Sequence, residues 1–354
     1  MKNPFKVAKK GYYHVLLIND VIERQNKLEQ QLQNLSMAVQ DIRNCAQEFQ
    51  TSLAMQRKLN ELYFSVLFGK NHESGEDLSR RFLSSIPCAS GDLRVYQLGN
   101  VKLTRVFVNL CKKHRLPYFI QSGTMLGAVR HQGFVPWDDD TDVAMMRDDI
   151  KTLRNILKDD PNYTIALVYD YYNKSRQLRF RTTNPDNPCF LDVYIYDYGD
   201  DDSEEAWQKW HRQKEAIVAD FEKANPSLIK KWSELGLIQE NSPEGKQLKP
   251  LFEKLYDSKL NTAIDRNNYS TINWGLDNFA VKWRRLFKKE MIFPTRELNY
   301  EGVRVAAPNQ CEAYLNRQYG DIYKLPEDLV SHFKHIDQQH INTVIIEDFL
   351  NQKD

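Results

Sequence analysis

Val21, Leu28, Leu35, Ile42 and Phe49 recur at intervals of seven, and Ile18, Leu32, Val39, Ala46 and Leu53 fill the companion positions. Such an a/d pattern, kept over about five heptads without proline or glycine, predicts a helix whose apolar seam follows a supercoil. Over residues 18–53 that helix would be roughly 54 Å long at 1.5 Å per residue. The strict seven-residue spacing favours a coiled coil between copies of the chain, a homodimer or homotrimer. The alternative is one amphipathic helix lying on its own globular domain. Gln25 is the polar interruption, which in a coiled coil sets register.

The rest of the chain divides around this array. Residues 1–68 are expected to form the oligomerising helix and coiled coil. Residues 69–92, rich in Gly, Ser and charge, read as a linker, and residues 93–354 as one catalytic domain. The 354 residues carry a formal charge of only +1, which excludes the strong basic field of a nucleic-acid binder. No apolar run of about 20 residues predicts a membrane span. The short patch Val15–Ile18 is too brief for a signal-peptide core. The five cysteines have no C-x-x-C spacing and are expected to be reduced and mostly in the core, without zinc, as suits a cytoplasmic chain. Lys2, Lys6, Lys9 and Lys10 beside Phe5, Tyr12 and Tyr13 leave room for peripheral contact with the inner face of the cell membrane.

From Asp92 the pattern turns globular. A helix is expected over "DLRVYQLGNVKLTRVFVNLCKKHR", a strand over 116–121, a short helix over "TMLGAVRH" and a strand over 141–146. Asp148 or Asp149 is expected to cap the next helix. Three strand-like stretches follow, "YTIALVYD", "LRFRT" and "CFLDVYIYDY". Asp202 or Ser203 then opens a helix that runs to Pro226, because early acidic residues suit its N-terminus. Helical or irregular sequence is expected from there to about residue 290. This order implies a mixed α/β domain whose sheet contains antiparallel pairs.

Chemistry concentrates in "SGTMLGAVRHQGFVPWDDDTDVAM", residues 122–145. Side chains alternate along a strand, so Asp140 and Asp142 face the same way. Two carboxylates on one face repel unless a cation joins them, and oxygen-only ligands suit Mg2+ or Mn2+. Asp139 is read as no more than part of a charged turn. Ser122, Gly123 and Thr124 join strand to helix, where glycine allows close backbone approach and free N–H groups attract phosphate. Asp192, set among Phe190, Leu191 and Val193, needs a partner. Either Arg179 or Arg181 pairs with it, or it completes a metal site with Asp140 and Asp142.

The stretch "PYFIQSGTMLGAVRHQGFVPWDDDTDVAM" resembles the LicD/fukutin-type family of the nucleotidyltransferase-fold superfamily. "FLDVYIYDY" resembles that family's third-carboxylate strand, and "YEGVRVAAPNQCEAYLNRQYGDIYKLPED" its C-terminal signature. The resemblance covers roughly residues 95–335 and leaves out the heptad array. Gln132 and Thr141 depart from the usual residues without touching a proposed ligand. It implies a nucleotidyltransferase-fold mixed sheet with flanking helices, preceded here by the coiled-coil helix. The implied activity is transfer of phosphocholine, or a polyol phosphate, from CDP-choline or a CDP-polyol to a hydroxyl of a cell-surface glycan, which can be lipid-linked, releasing CMP. By similarity Asp140, Asp142 and Asp192 hold the divalent metal, and Ser122, Gly123 and Thr124 cradle the donor phosphates.

Other residues have roles consistent with that chemistry. Arg130 could clamp a phosphate or pair with one of the aspartates. His131 could serve as acid or base, or simply pack. Lys282 and Arg285 could reach the nucleotide, or form a solvated helix face. Tyr169–Tyr172 could face a quaternary ammonium. His332, His335 and His340 do not form a convincing ligand set. Two competing readings are a nucleotidyltransferase that releases pyrophosphate and an inactive coiled-coil scaffold.

Overall fold

The computed structural model describes residues 4–172, 174–257, 266–275, 277–278, 286–324 and 342–352. Lys282, Arg285, His332, His335 and His340 lie outside the described residues, as do Lys2 and the side chains of Lys6, Lys9 and Lys10. The chain forms two compact units, Met1–Leu78 and Ser79–Asp354.

The first unit is dominated by one helix, α1 (Pro4–Phe68). Its heptad side chains are exposed in the single chain, Ile42 at 68% and Phe49 at 69%. No helix among the described residues is long and apolar enough to cross a membrane. The stretch expected as a linker holds a helix, α2 (Gly75–Ser85). Ser74 opens it by accepting from the Asp77 N–H at 3.1 Å while its hydroxyl donates to the Asp77 carboxylate. That is the local chemistry of a helix start, hidden in sequence by the surrounding Gly and Ser.

The second unit is mixed α/β. Its elements run α3 (Gly91–His114), β1 (Phe119–Ile120), α4 (Ser122–Arg130), β2 (Asp142–Met146), α5 (Arg147–Ile156), β3 (Tyr163–Asp170), β4 (Ser175–Thr182) and β5 (Leu191–Gly199). They continue α6 (Glu204–Ala224), α7 (Pro226–Leu235), β6 (Leu237–Gln239), α8 (Pro243–Asp257), β7 (Thr271–Trp274), β8 (Leu286–Lys288) and α9 (Lys289–Ile292). A hairpin β9 (Arg296–Tyr300) and β10 (Val303–Ala307) precedes α10 (Cys311–Tyr319) and α11 (Thr343–Asn351).

The main sheet has eight strands, ordered β1-β2-β5-β4-β3-β6, with β7 and β8 branching from β5. β2 and β5 are parallel, whereas β4 and β7 both pair antiparallel with β5 along its other edge. β4 covers Leu191–Val193 and β7 covers Tyr196–Gly199, so the sheet splits opposite Tyr194 and Ile195. Hydrophobic burial explains the layering: Phe107 of α3 meets Phe180 of β4 edge-on at 5.6 Å. At the far end, buried Lys102 of α3 donates to the Phe349 carbonyl at 2.7 Å and so caps α11.

Several expectations are met. Ser203 is the N-cap of α6, accepting from Ala206 N–H, and Pro226 opens α7. Cys111, Cys189 and Cys311 are buried, while Cys45 and Cys88 are exposed, and all are free thiols. Two expectations are corrected. The N-cap of α5 is Met146, with Asp148 and Asp149 inside the first turn, because β2 passes directly into the helix. The region from 226 to 290 contains β6, β7 and β8, strands of three or four residues whose pairing, not their own pattern, makes them strands.

Candidate active site

The site begins where β1 turns into α4. Ser122 adopts φ +49°, a left-handed conformation uncommon outside glycine, and this sharp turn points the α4 N-terminus back toward β2. Thr124 then fixes the two elements together, its hydroxyl accepting from the Asp142 N–H at 2.7 Å. A side-chain carbon on Gly123 would lie 2.2 Å from Asp138 Oδ2. Only glycine therefore lets that carboxylate reach the helix N-terminus, where the backbone dipole favours negative charge.

Register does the rest. Asp142 and Asp192 are direct cross-strand partners in the parallel β2–β5 pair, so both project from one face. Asp140 joins them: one oxygen from each of Asp140, Asp142 and Asp192 lies within 4.8 Å of the others. Asp138, Asp139 and Asp140 satisfy the same criterion, so Asp140 belongs to both groups. At an effective dielectric of about 20, each charged pair at this separation repels by roughly 3–4 kcal/mol. Such repulsion favours a proton or a positive charge close by.

Asp192 pairs with arginine and also lies beside the other two carboxylates. Arg179, its neighbour on β4, donates from Nε at 3.0 Å, and the carboxylate still meets Asp140 and Asp142. Arg181 instead binds the carbonyls of Asn184, Pro185 and Asn187.

Asp138 and Asp139 are more than a charged turn. Both are buried, and α3 staples their backbone: Gln97 donates to the Asp138 carbonyl at 2.9 Å and Asn100 to the Asp139 carbonyl at 3.2 Å. Two amides at i, i+3 on the buried face of α3 were the available signal. Burial, and then the Asp140 and Asp139 charges, raise the Asp138 carboxyl well above the usual carboxylate range.

Arg130 and His131 sit at the other end of α4. Arg130 donates to His131 Nε2 at 3.0 Å and to the Ile322 carbonyl at 3.0 Å, which turns it toward the C-terminal segment. Burial, then the adjacent Arg130, lowers His131 to about 4, with the Leu83 backbone bond acting the other way. His131 is thus neutral at pH 7, with the Nε2 lone pair committed to Arg130, and packing describes it better than acid–base chemistry.

The Tyr169–Tyr172 run is also committed elsewhere. Tyr169 packs on Phe252 and Tyr171 on Trp232, while Tyr172 is exposed.

Residues 115–231 match the family model described as the LicD/FKTN/FKRP nucleotidyltransferase domain. The chain is 26% identical over 278 residues to the lipopolysaccharide cholinephosphotransferase LicD of Haemophilus influenzae, covering 70% of this chain and 98% of that protein. A shorter similarity, 46% over 64 residues, links it to an uncharacterized protein of Rickettsia prowazekii, spanning 18% of this chain and 24% of that one. An uncharacterized protein of Rickettsia typhi is 50% identical over 48 residues, 14% of this chain and 16% of its own length.

Proposed function

We propose that this chain, whose residues 115–231 match the LicD/FKTN/FKRP nucleotidyltransferase-domain model, is a phosphotransferase that moves phosphocholine from a CDP-activated donor to a hydroxyl of a surface glycan, releasing CMP. A polyol phosphate is the other group this chemistry accommodates. The observation that carries the reading is the convergence of Asp140, Asp142 and Asp192 beside the Ser122–Thr124 turn.

The donor set fits a hard dication, because every converging ligand is a carboxylate oxygen and the mutual repulsion asks for positive charge. Asp140, Asp142 and Asp192 would hold Mg2+ or Mn2+. When bound, the ion neutralises phosphate charge that develops in phosphoryl transfer. The chain's own part is positioning. Thr124 and the β2–β5 register fix two carboxylates, Arg179 orients the third, and the α4 N-terminus offers N–H groups to a donor phosphate. Incubation of the full chain with Mg2+ and a panel of CDP-linked compounds should release CMP with one of them, whereas CTP with phosphocholine should yield no pyrophosphate. Pyrophosphate as product, or no turnover with any CDP-linked donor, would reject the reading.

The exposed heptad seam supports a second element of the proposal, a homo-oligomeric coiled coil through α1. Fully burying one Leu or Ile stabilises by roughly 1.5–3 kcal/mol, so a pair of charges in the seam should undo the assembly. Leu35→Asp combined with Ile42→Asp is expected to sediment as a monomer while the wild-type chain does not. Identical masses for the two proteins would remove the coiled coil.

A further inference from the structure

Serine is a strained choice at position 122. Its φ of +49° lies in the left-handed region, where glycine meets no steric penalty and an ordinary side chain does. A side chain kept in spite of that strain argues for a use. Ser122 also stands in the chain between two residues tied to Asp142. The Gln121 N–H donates to the Asp142 carbonyl at 3.2 Å, and the Thr124 hydroxyl accepts from the Asp142 N–H.

One helix braces this turn. α10 carries Tyr314 and Gln318 four residues apart, hence on one face. The Tyr314 hydroxyl meets that of Tyr196 at 3.3 Å, and Tyr196 donates to Gln121 Oε1 at 2.8 Å. Gln318 donates from Nε2 to Ser122 Oγ at 3.3 Å. The bonds from α10 thus end on two consecutive residues, Gln121 and Ser122. Tyr314, Tyr196 and Gln121 are buried, whereas Ser122 and Gln318 are only half-buried. A serine hydroxyl has one hydrogen and two lone pairs. With Gln318 donating into a lone pair, the hydrogen of Ser122 has no acceptor among the described residues. Gln318 makes no second hydrogen bond among them either, and its Oε1 is shielded without a partner. An amide placed for stability alone would satisfy both ends. This one fixes the hydroxyl rotor and leaves its hydrogen to be given away.

We infer that Gln318 is a positioning residue for the donor: by donating to Ser122 Oγ it commits the Ser122 hydroxyl hydrogen to a phosphate oxygen of the nucleoside diphosphate. The inference rests on the CDP-donor reading above. Gln318 acts only through Ser122 and needs no contact with the donor itself. The hydroxyl adds one directed hydrogen bond to those offered by the N–H groups at the start of α4. A helix 196 positions further along the chain thereby becomes part of the phosphate cradle.

Calorimetric titration of the full chain in Mg2+ with CDP and with cytidine isolates what the phosphates contribute. CDP is the part that both candidate donors share. The wild-type chain should bind CDP more tightly than cytidine. Gln318→Met, similar in length but without the amide, should weaken CDP roughly three- to tenfold, the worth of one hydrogen bond. Cytidine affinity and the thermal midpoint should not change. Gln318→Glu should weaken CDP further, because a carboxylate only accepts and takes the Ser122 hydrogen for itself. In a Ser122→Ala background, which keeps a side-chain carbon at the strained position, Gln318→Met should have no further effect. Wild-type chain that binds CDP no better than cytidine would reject the donor reading and this inference with it. A CDP preference intact in Gln318→Met overturns the inference alone and leaves the donor reading standing. So does an equal loss with Ser122 already replaced, or a loss that cytidine shares, either of which makes Gln318 a structural support.

Discussion

Asp142→Asn is expected to reduce CMP release by on the order of 10^3-fold or more, equivalent to about 4 kcal/mol of transition-state stabilisation. The side chain keeps its shape, and the backbone contacts that place it remain: the Asp142 N–H still donates to Thr124 and its carbonyl still accepts from Gln121 at 3.2 Å. What is lost is one of three converging charges. The sign of the stability change is therefore informative. Removing a like charge from a group within 4.8 Å of two others relieves repulsion, so without divalent ions the variant should melt no lower than wild type. Added Mg2+ should raise the wild-type midpoint, because it binds only the folded state, and should leave the variant's nearly unmoved. Retained turnover, or an equal Mg2+ shift in both proteins, would remove the metal assignment from Asp142.

Much of that site could be read before the fold was known, for a simple reason. Assumed strand alternation put Asp140 and Asp142 together with no knowledge of partners, although the strand itself begins at Asp142 and Asp140 reaches it from the preceding loop, and a lone aspartate between Leu191 and Val193 announces a need for charge. Local signals likewise placed α3, α4 and the Ser203 cap. The information that was missing is long-range. Asp138 became part of the site only through Gly123, fifteen positions earlier, and through Gln97 and Asn100 of α3. Arg179 and Arg181 are equivalent in an alternating strand until the β4–β5 register gives Arg179 to Asp192. The Asp277 ion pairs are equally invisible in sequence, since they join residues about a hundred positions apart across the split between β4 and β7. Short strands such as β7 and β8 escape for the same cause, since four residues cannot display a period that their partners impose.

Gly127→Ala should be among the most damaging single methyl groups added to the second unit. Gly127 lies in the middle of α4, and a side-chain carbon there would come within 2.3 Å of the Gly133 carbonyl oxygen and 3.0 Å of the Val135 nitrogen. Both obstacles are backbone, and both belong to the segment that leads into Asp138. At Gly123, by contrast, the obstacle is the Asp138 carboxylate, a side chain that can rotate away. Alanine is intrinsically better than glycine in a helix by about 1 kcal/mol, so any destabilisation measured is a net figure. Overpacking typically costs 1–3 kcal/mol and rises when rigid groups collide. We expect a net loss of about 3 kcal/mol, a fall in thermal midpoint on the order of 6–12 °C. Gly75→Ala, where the added carbon meets nothing within 4 Å, is the matched control and should change the midpoint little. Activity should fall together with stability in Gly127→Ala, because pushing α4 away from residues 133–135 moves Thr124, and Thr124 is what holds Asp142. If Gly127→Ala melts like wild type, α4 does not rest on that segment and the geometry that presents the carboxylates is wrong.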